Sequence, residues 1–218
     1  MAILKPVRAE VLAVRFIPNV APDLAKKLKL RPEQKSVSMF TCTIDDVGYT
    51  AVDEATKKAD VEVVYAQSFY AGASHASGPL SGEFIGVLAG PNPAEARAGL
   101  NAAIQLIKED ACFYTADEEE QLTFYAYTIS RSGSYLSSAA GVEEGTPIAY
   151  LIAPPLESIY GVDAALKAAE VKMAVWYGPP TETNFGGGLL VGSQSACKAA
   201  AEAFKNAVLE VAARPKEI

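Results

Sequence analysis

The chain has 218 residues, half of them hydrophobic, with 26 acidic against 19 basic side chains and a net charge of −7. That acidic balance argues against a nucleic-acid partner, which needs a basic face, and no apolar run approaches the roughly 18 residues of a membrane span. Cys42, Cys112 and Cys197 lack metal-ligand spacing and suit reduced thiols in a cytoplasmic protein, while Met1–Pro6 has no long apolar core behind a basic segment, so no secretion signal is expected.

Val11–Ile17 and Val37–Thr43 read as strands, joined by a polar connection. The Ala/Lys-rich segment Val52–Ala59 reads as helix; β-branched and aromatic residues then take over at Val61–Tyr65, a strand. Gln67–Gly82 is a loop rich in Gly, Pro and Ser, and Phe84–Ala89 is a second apolar strand. The next helix is clearest: Asn92 can cap it, Pro93 fits its first position, and Glu95 lies three residues past the cap. Ala96, Leu100, Ala103, Ile104 and Ile107 give it an apolar stripe at helical spacing. Between Lys108 and Glu120 the pattern breaks, with Asp117-Glu118-Glu119-Glu120. It then restarts: strands Leu122–Ile129 and Ile148–Ala153, helix 162–169, strand Val171–Tyr177, loop Gly178–Gly188, and strand Leu189–Val191. Ser193 opens a final helix whose inward residues are Cys197, Ala200, Ala201, Phe204, Val208 and Val211.

The second half repeats the first. Val52-Asp53-Glu54-Ala55-Thr56-Lys57-Lys58-Ala59-Asp60-Val61 matches Val162-Asp163-Ala164-Ala165-Leu166-Lys167-Ala168-Ala169-Glu170-Val171 at a fixed offset of 110. Val87-Leu88-Ala89-Gly90 is echoed by Leu189-Leu190-Val191-Gly192 at 102, so the first half carries about eight extra residues between the landmarks. Solenoid units are shorter, roughly 20–50 residues. The repeat therefore marks two tandem domains of one fold, expected at 1–112 and 113–218. Each reads β, connection, β, helix, β, loop, β, helix: an α+β layer with helices on one face of a sheet.

These landmarks carry a family likeness. Gly161–Val171 resembles the first-helix signature of bacterial microcompartment (BMC) shell domains, and Val191–Ala200 resembles their second-helix signature. Phe16-Ile17-Pro18-Asn19 and Thr128-Ile129-Ser130-Arg131 resemble the family's final strand, with its Ile-Pro-Arg-like turn. Here each precedes its repeat core, which is the circularly permuted order. With Asp45-Asp46, Tyr70–Ala73, Gly90–Leu100, Ser132–Leu136 and Ala153–Glu157, the similarity to tandem permuted shell proteins of ethanolamine utilisation covers nearly the whole chain. The resemblance implies an α+β fold of two tandem, circularly permuted BMC domains, each an antiparallel sheet with helices. It further implies a homotrimer, a pseudohexameric disc that tiles with other shell proteins around enzymes processing ethanolamine. Such a protein is a barrier and pore in a cytoplasmic microcompartment shell, not a catalyst.

The same resemblance assigns sites. The segment between the two central strands lines the family's pore, which places Gly186, Gly187 and Gly188 there in the second domain and Phe69, Tyr70, Gly72, His75 and Gly78 of the longer loop in the first. On composition alone that long segment is an ordinary surface loop; its position in the repeat makes it a gate. His75 is the only histidine, and three copies near one axis could hold zinc, whereas a lone loop histidine is otherwise a solvated side chain. Passage or binding of a cobalamin would need the long loops displaced, and no resident cofactor is expected. Ethanolamine is a small cation, so its site wants carboxylates, a hydroxyl and an aromatic face. Asp45, Asp46, Glu83, Phe113, Glu157, Glu182 and Thr183 are the candidates; solvated carboxylates or helix-dipole partners are the ordinary alternative. Lys57 and Lys167, with Arg131, would lie at the edge between discs, and Asn19 replaces the corresponding Arg in the first domain. Enzymatic constellations are scarce: one histidine limits triads, and the glycine triplet lacks the Lys-Ser/Thr ending of a phosphate loop. The competing reading is a small-molecule-sensing α+β trimer whose long loop closes on an effector.

Overall fold

The computed structural model describes residues 4–70, 78–117 and 121–216. Gly72 and His75 of the expected gate, and Glu118–Glu120 of the expected boundary, lie outside the described residues. The chain forms two compact units: Ala9–Ala111 with Gly133–Leu136, and the residues up to Arg8 with Cys112–Ser132 and those from Ser137 onward. These units differ from the expected division into 1–112 and 113–218 by two short segments. The N-terminal one changes sides because β1 (Pro6–Val7) pairs antiparallel with β6 (Phe113–Thr115). Phe113 is therefore a strand residue, not part of an interdomain link.

In the first unit β2 (Val11–Ile17), β3 (Ser36–Cys42), β4 (Glu62–Ser68) and β5 (Phe84–Gly90) form an antiparallel sheet ordered β2-β3-β5-β4. Helices α2 (Asp45–Lys58) and α3 (Pro93–Glu109) lie against one face. Strand alternation sends Ser38, Phe40, Phe84 and Leu88 to that side: the Ser38 hydroxyl donates to the Ala96 carbonyl at 2.8 Å, and the Phe84 ring fills the space above Gly48. Val37, Val87 and Ala89 point the other way, where Ala25 and Leu28 cover them. The short helix α1 (Pro22–Lys27) thus departs from the expectation that all helices share one face. In α3 the Asn92 side chain accepts the N–H groups of Ala94 and Glu95 at 2.9 and 3.0 Å. Leu106, not Ile104, completes its buried stripe.

The second unit holds a six-stranded sheet, β1-β6-β7-β8-β10-β9, with β7 (Thr123–Ile129), β8 (Ile148–Ala153), β9 (Val171–Tyr177) and β10 (Gly186–Gly192). Its last four strands repeat the order found in the first unit. After β7 comes α4 (Ser134–Ala140); α5 (Pro155–Ala168) and α6 (Gln194–Ala213) complete the chain's elements. The core joins Phe124, Leu151 and Leu190 to Val162, Ala165, Cys197, Ala200 and Phe204.

The glycine triplet is a correction. Gly186, Gly187 and Gly188 are buried residues of β10, paired with Ala153, Ile152 and Leu151 of β8, and the loop before them is confined to 178–185. A Cβ on Gly187 would lie 1.8 Å from the Leu151 carbonyl oxygen, and its φ is +147°. Glycine here permits close backbone approach inside a sheet. Among the described residues, no helix is long and apolar enough to cross a membrane.

Candidate functional site

β3 ends at Cys42 and α2 starts at Asp45, so Asp45 and Asp46 open the helix rather than precede it. Ile44 offers no side-chain cap; instead Asp45 Oδ1 accepts the Asp46 N–H at 2.9 Å. Carboxylates suit the positive end of a helix, yet both are buried, at 6% and 7% exposure. The stems of the long loop meet beside them. Ser68, the last residue of β4, donates its hydroxyl hydrogen to the Tyr49 hydroxyl at 2.8 Å. The Phe69 N–H donates to the Glu83 carbonyl, and the Glu83 N–H donates to the Cys42 carbonyl, both at 3.0 Å. Gly82 makes that turn with φ +63°, and a Cβ there would sit 2.1 Å from the Cys42 carbonyl oxygen. Only glycine lets the chain come this close.

Three groups on different elements sense one negative region. Burial, and then the charge of Asp45, pushes the Glu83 carboxyl up to about 7. Burial pushes the Cys42 thiol up to about 12, with the charges of Asp45 and Glu83 adding to it. The Tyr49 hydroxyl is raised by burial and further by Asp45 and Asp46. A carboxyl kept protonated by burial and by a neighbouring carboxylate would give up its proton more readily beside an incoming cation. The arrangement can therefore trap a small ammonium ion between acidic groups, with the Tyr49 and Ser68 hydroxyls close by.

The other ligand candidates belong to the second unit. Phe113 is buried, stacked on Tyr125 at 5.1 Å and edge-on to Phe185 at 5.8 Å. Thr183 is also buried, its hydroxyl 3.4 Å from that of Thr181, while Glu182 beside it is exposed. Glu157 occupies the first turn of α5. The structure thus gathers Asp45, Asp46 and Glu83 in one unit and Phe113 and Thr183 around the 178–185 loop of the other. Sequence reasoning missed Tyr49 and Ser68; the signal was there for Tyr49, one helical turn after Asp45. Of the gate residues, Tyr70 is exposed, Phe69 half-buried, and Gly78 takes φ +106° where the loop returns. Lys57 pairs with Glu54 at 2.5 Å and is largely covered, whereas Lys167 is exposed beside Asp163. Among the described residues, no group of three or more His, Cys, Asp or Glu could hold a metal.

The model of the BMC domain family matches residues 36–116. Over 96% of both chains the sequence is 57% identical to the bacterial microcompartment shell protein EutL of Clostridium perfringens. It is 52% identical to EutL of Escherichia coli K12, over 99% of this chain and 98% of that one. The crystal structure of the ethanolamine utilization protein EutL from Leptotrichia buccalis superposes with a TM-score of 0.95 at 55% identity, covering 98% of this chain and 99% of the other. With sequence and fold in agreement over nearly its full length, the chain belongs to the EutL family of bacterial microcompartment shell proteins, structural components of the shell rather than enzymes.

Proposed function

We infer that three copies of the chain close into a pseudohexameric disc, a homotrimer that joins other shell proteins in a facet and passes small molecules selectively. The long loop from Phe69 to Gly82, with Tyr70, Gly72, His75 and Gly78, gates its central opening. Ethanolamine, a cation at neutral pH, binds at Asp45, Asp46 and Glu83 in one unit, and Phe113, Glu157, Glu182 and Thr183 are the candidate contacts that the other unit offers. The name of the Leptotrichia relative ties it to ethanolamine utilization. The observation that carries the ligand reading is Glu83, half-buried, raised to about 7 and facing Asp45 at the stem of the long loop. Calorimetry with the Asp45→Ala, Glu83→Ala double variant should show no ethanolamine binding; retained binding refutes the site.

Lys167, Lys57 and Arg131 serve the edge between discs, so electron microscopy of concentrated protein should show hexagonal sheets of threefold discs. Zinc binding by His75 from three copies is a separate proposal: zinc uptake equal in the parent and in His75→Ala would remove it. Cobalamin as cargo requires the long loops to swing aside.

A further inference from the structure

The two repeats build the same turn from residues of different charge. In the first unit the Lys29 N–H donates to the Lys26 carbonyl at 3.2 Å and the Leu30 N–H to the Ala25 carbonyl at 2.9 Å, closing α1. In the second the Gly141 N–H donates to the Ser138 carbonyl at 3.2 Å and the Val142 N–H to the Ser137 carbonyl at 3.0 Å, closing α4. Every partner in these bonds is displaced by the same 112 residues, which fixes the correspondence.

The inward positions of the two turns agree. Ala25, Leu28 and Leu30 pack on Val20, Val37, Val87 and Ala89, and their counterparts Ser137 and Ala140 are buried. The outward positions do not agree. Lys26, Lys27 and Lys29 stand where the second unit has Ser138, Ala139 and Gly141, and all six are exposed. The next exposed pair reverses sign outright, Arg31 against Glu143.

Lys29 separates a charge requirement from a folding requirement. Its φ is +56°, close to the +65° of Gly141. Glycine takes this left-handed conformation freely, and lysine does so only with strain. The second unit shows that glycine closes the turn, so the lysine is not there for the backbone. The helix dipole is served already by Lys26 and Lys27 in the last turn of α1. Arg31 is engaged by Glu33 at 3.0 Å and by Glu62 at 3.2 Å. Lys26, Lys27 and Lys29 have no ion-pair partner among the described residues.

We propose that Lys26, Lys27 and Lys29 form a docking surface for a short acidic segment of a partner protein. Ammonium groups on flexible stems act as point charges, without the planar fork that selects one rigid anion. They therefore suit a run of aspartates and glutamates. The net charge of −7 limits how long that run can be. A long polyanion extends from the lysines onto an acidic surface and is repelled there, whereas a few carboxylates end within the patch. The chain is a component of a protein shell, so its neighbours include proteins.

Fluorescence anisotropy of a labelled hexaglutamate peptide, titrated with the full chain, tests the surface. Binding should saturate, and affinity should fall severalfold as salt rises from about 0.01 to 0.15 M. Lys26→Ser, Lys27→Ala and Lys29→Gly together install the residues of the second unit, a sequence from which this fold already makes the turn. That triple variant should resist urea at least as well as the parent and bind the peptide about tenfold more weakly. Lys108→Ala, Lys198→Ala and Lys216→Ala together remove equal charge from exposed positions elsewhere and should leave the affinity unchanged. No binding by the parent, or equal weakening in both triple variants, overturns the surface. An oligothymidylate bound more tightly than the peptide overturns the choice of a protein partner. A sedimenting mass that differs between the parent and the Lys26, Lys27, Lys29 variant assigns these lysines to a contact between copies and overturns the proposal too.

Discussion

Glu83 keeps its proton up to a pH of about 7, and two consequences follow at the scale of that residue. Ethanolamine binding has to displace the proton, so affinity should rise severalfold between pH 6 and 8, and Glu83→Gln should flatten the profile in calorimetry. The same shift appears in stability. The folded carboxyl, raised from 4.5 to about 7, holds its proton more tightly than the unfolded one. Folding therefore loses stability as pH rises from about 4.5 to 7. Glu83→Gln should match the parent below that window and exceed it above pH 7 by about 1 kcal/mol in urea denaturation, after allowance for solvent around a half-buried carboxyl. Asp53 is raised in the same direction by burial, opposed by the N–H groups of Gly133 and Leu136, but its role is structural. Asp53→Ala leaves those two donors without their acceptor in a closed site and should cost about 3 kcal/mol by the same measurement.

At the scale of elements, β10 shows what a strand of glycines requires. Gly187→Ala would drive a methyl against the Leu151 carbonyl at a φ of +147°, costing about 3 kcal/mol. Gly141→Ala, at φ +65° with nothing within 4 Å of its Cβ, should cost only about 1 kcal/mol, and urea titration of the pair reads the difference. This strand also marks where sequence reading stops. Three glycines signal a loop locally; pairing with β8 and β9 overrides that signal, and no local feature announces it. Elements with strong local signals came through, such as β8 with its run of apolar residues or α3 with Asn92 and Pro93. The two-residue strand β1 did not, since nothing in Pro6–Val7 names its distant partners Tyr114 and Phe113. The candidate site was legible in the same uneven way. Asp45, Asp46 and Glu83 were named through family likeness, but their meeting depends on the turn at Gly82, and Ser68 carried no mark of its own. The tandem repeat was legible throughout.

At the scale of the molecule, net charge would govern how the proposed discs meet. Each chain carries a net charge of −7, and the proposed disc holds three. Two such plates approaching in a plane repel over a distance set by salt: about 30 Å at 0.01 M and about 8 Å at 0.15 M. The cations assigned to the edge, Lys167 and Arg131, act only at contact range, where opposite charges gain little while water has access. Long-range repulsion is screened away before the contact pairs are lost, because pairs partly closed off by packing are screened less than charges facing each other across solvent. Sheet formation should therefore be promoted by raising salt from 0.01 to 0.15 M, at fixed protein concentration, in light scattering and electron microscopy. Lys167→Glu should remove the sheets at both salts while leaving the disc's sedimentation intact, because the edge contact is lost and further negative charge is added. Sheets that form best at the lowest salt would place attraction, not repulsion, in control of the edge.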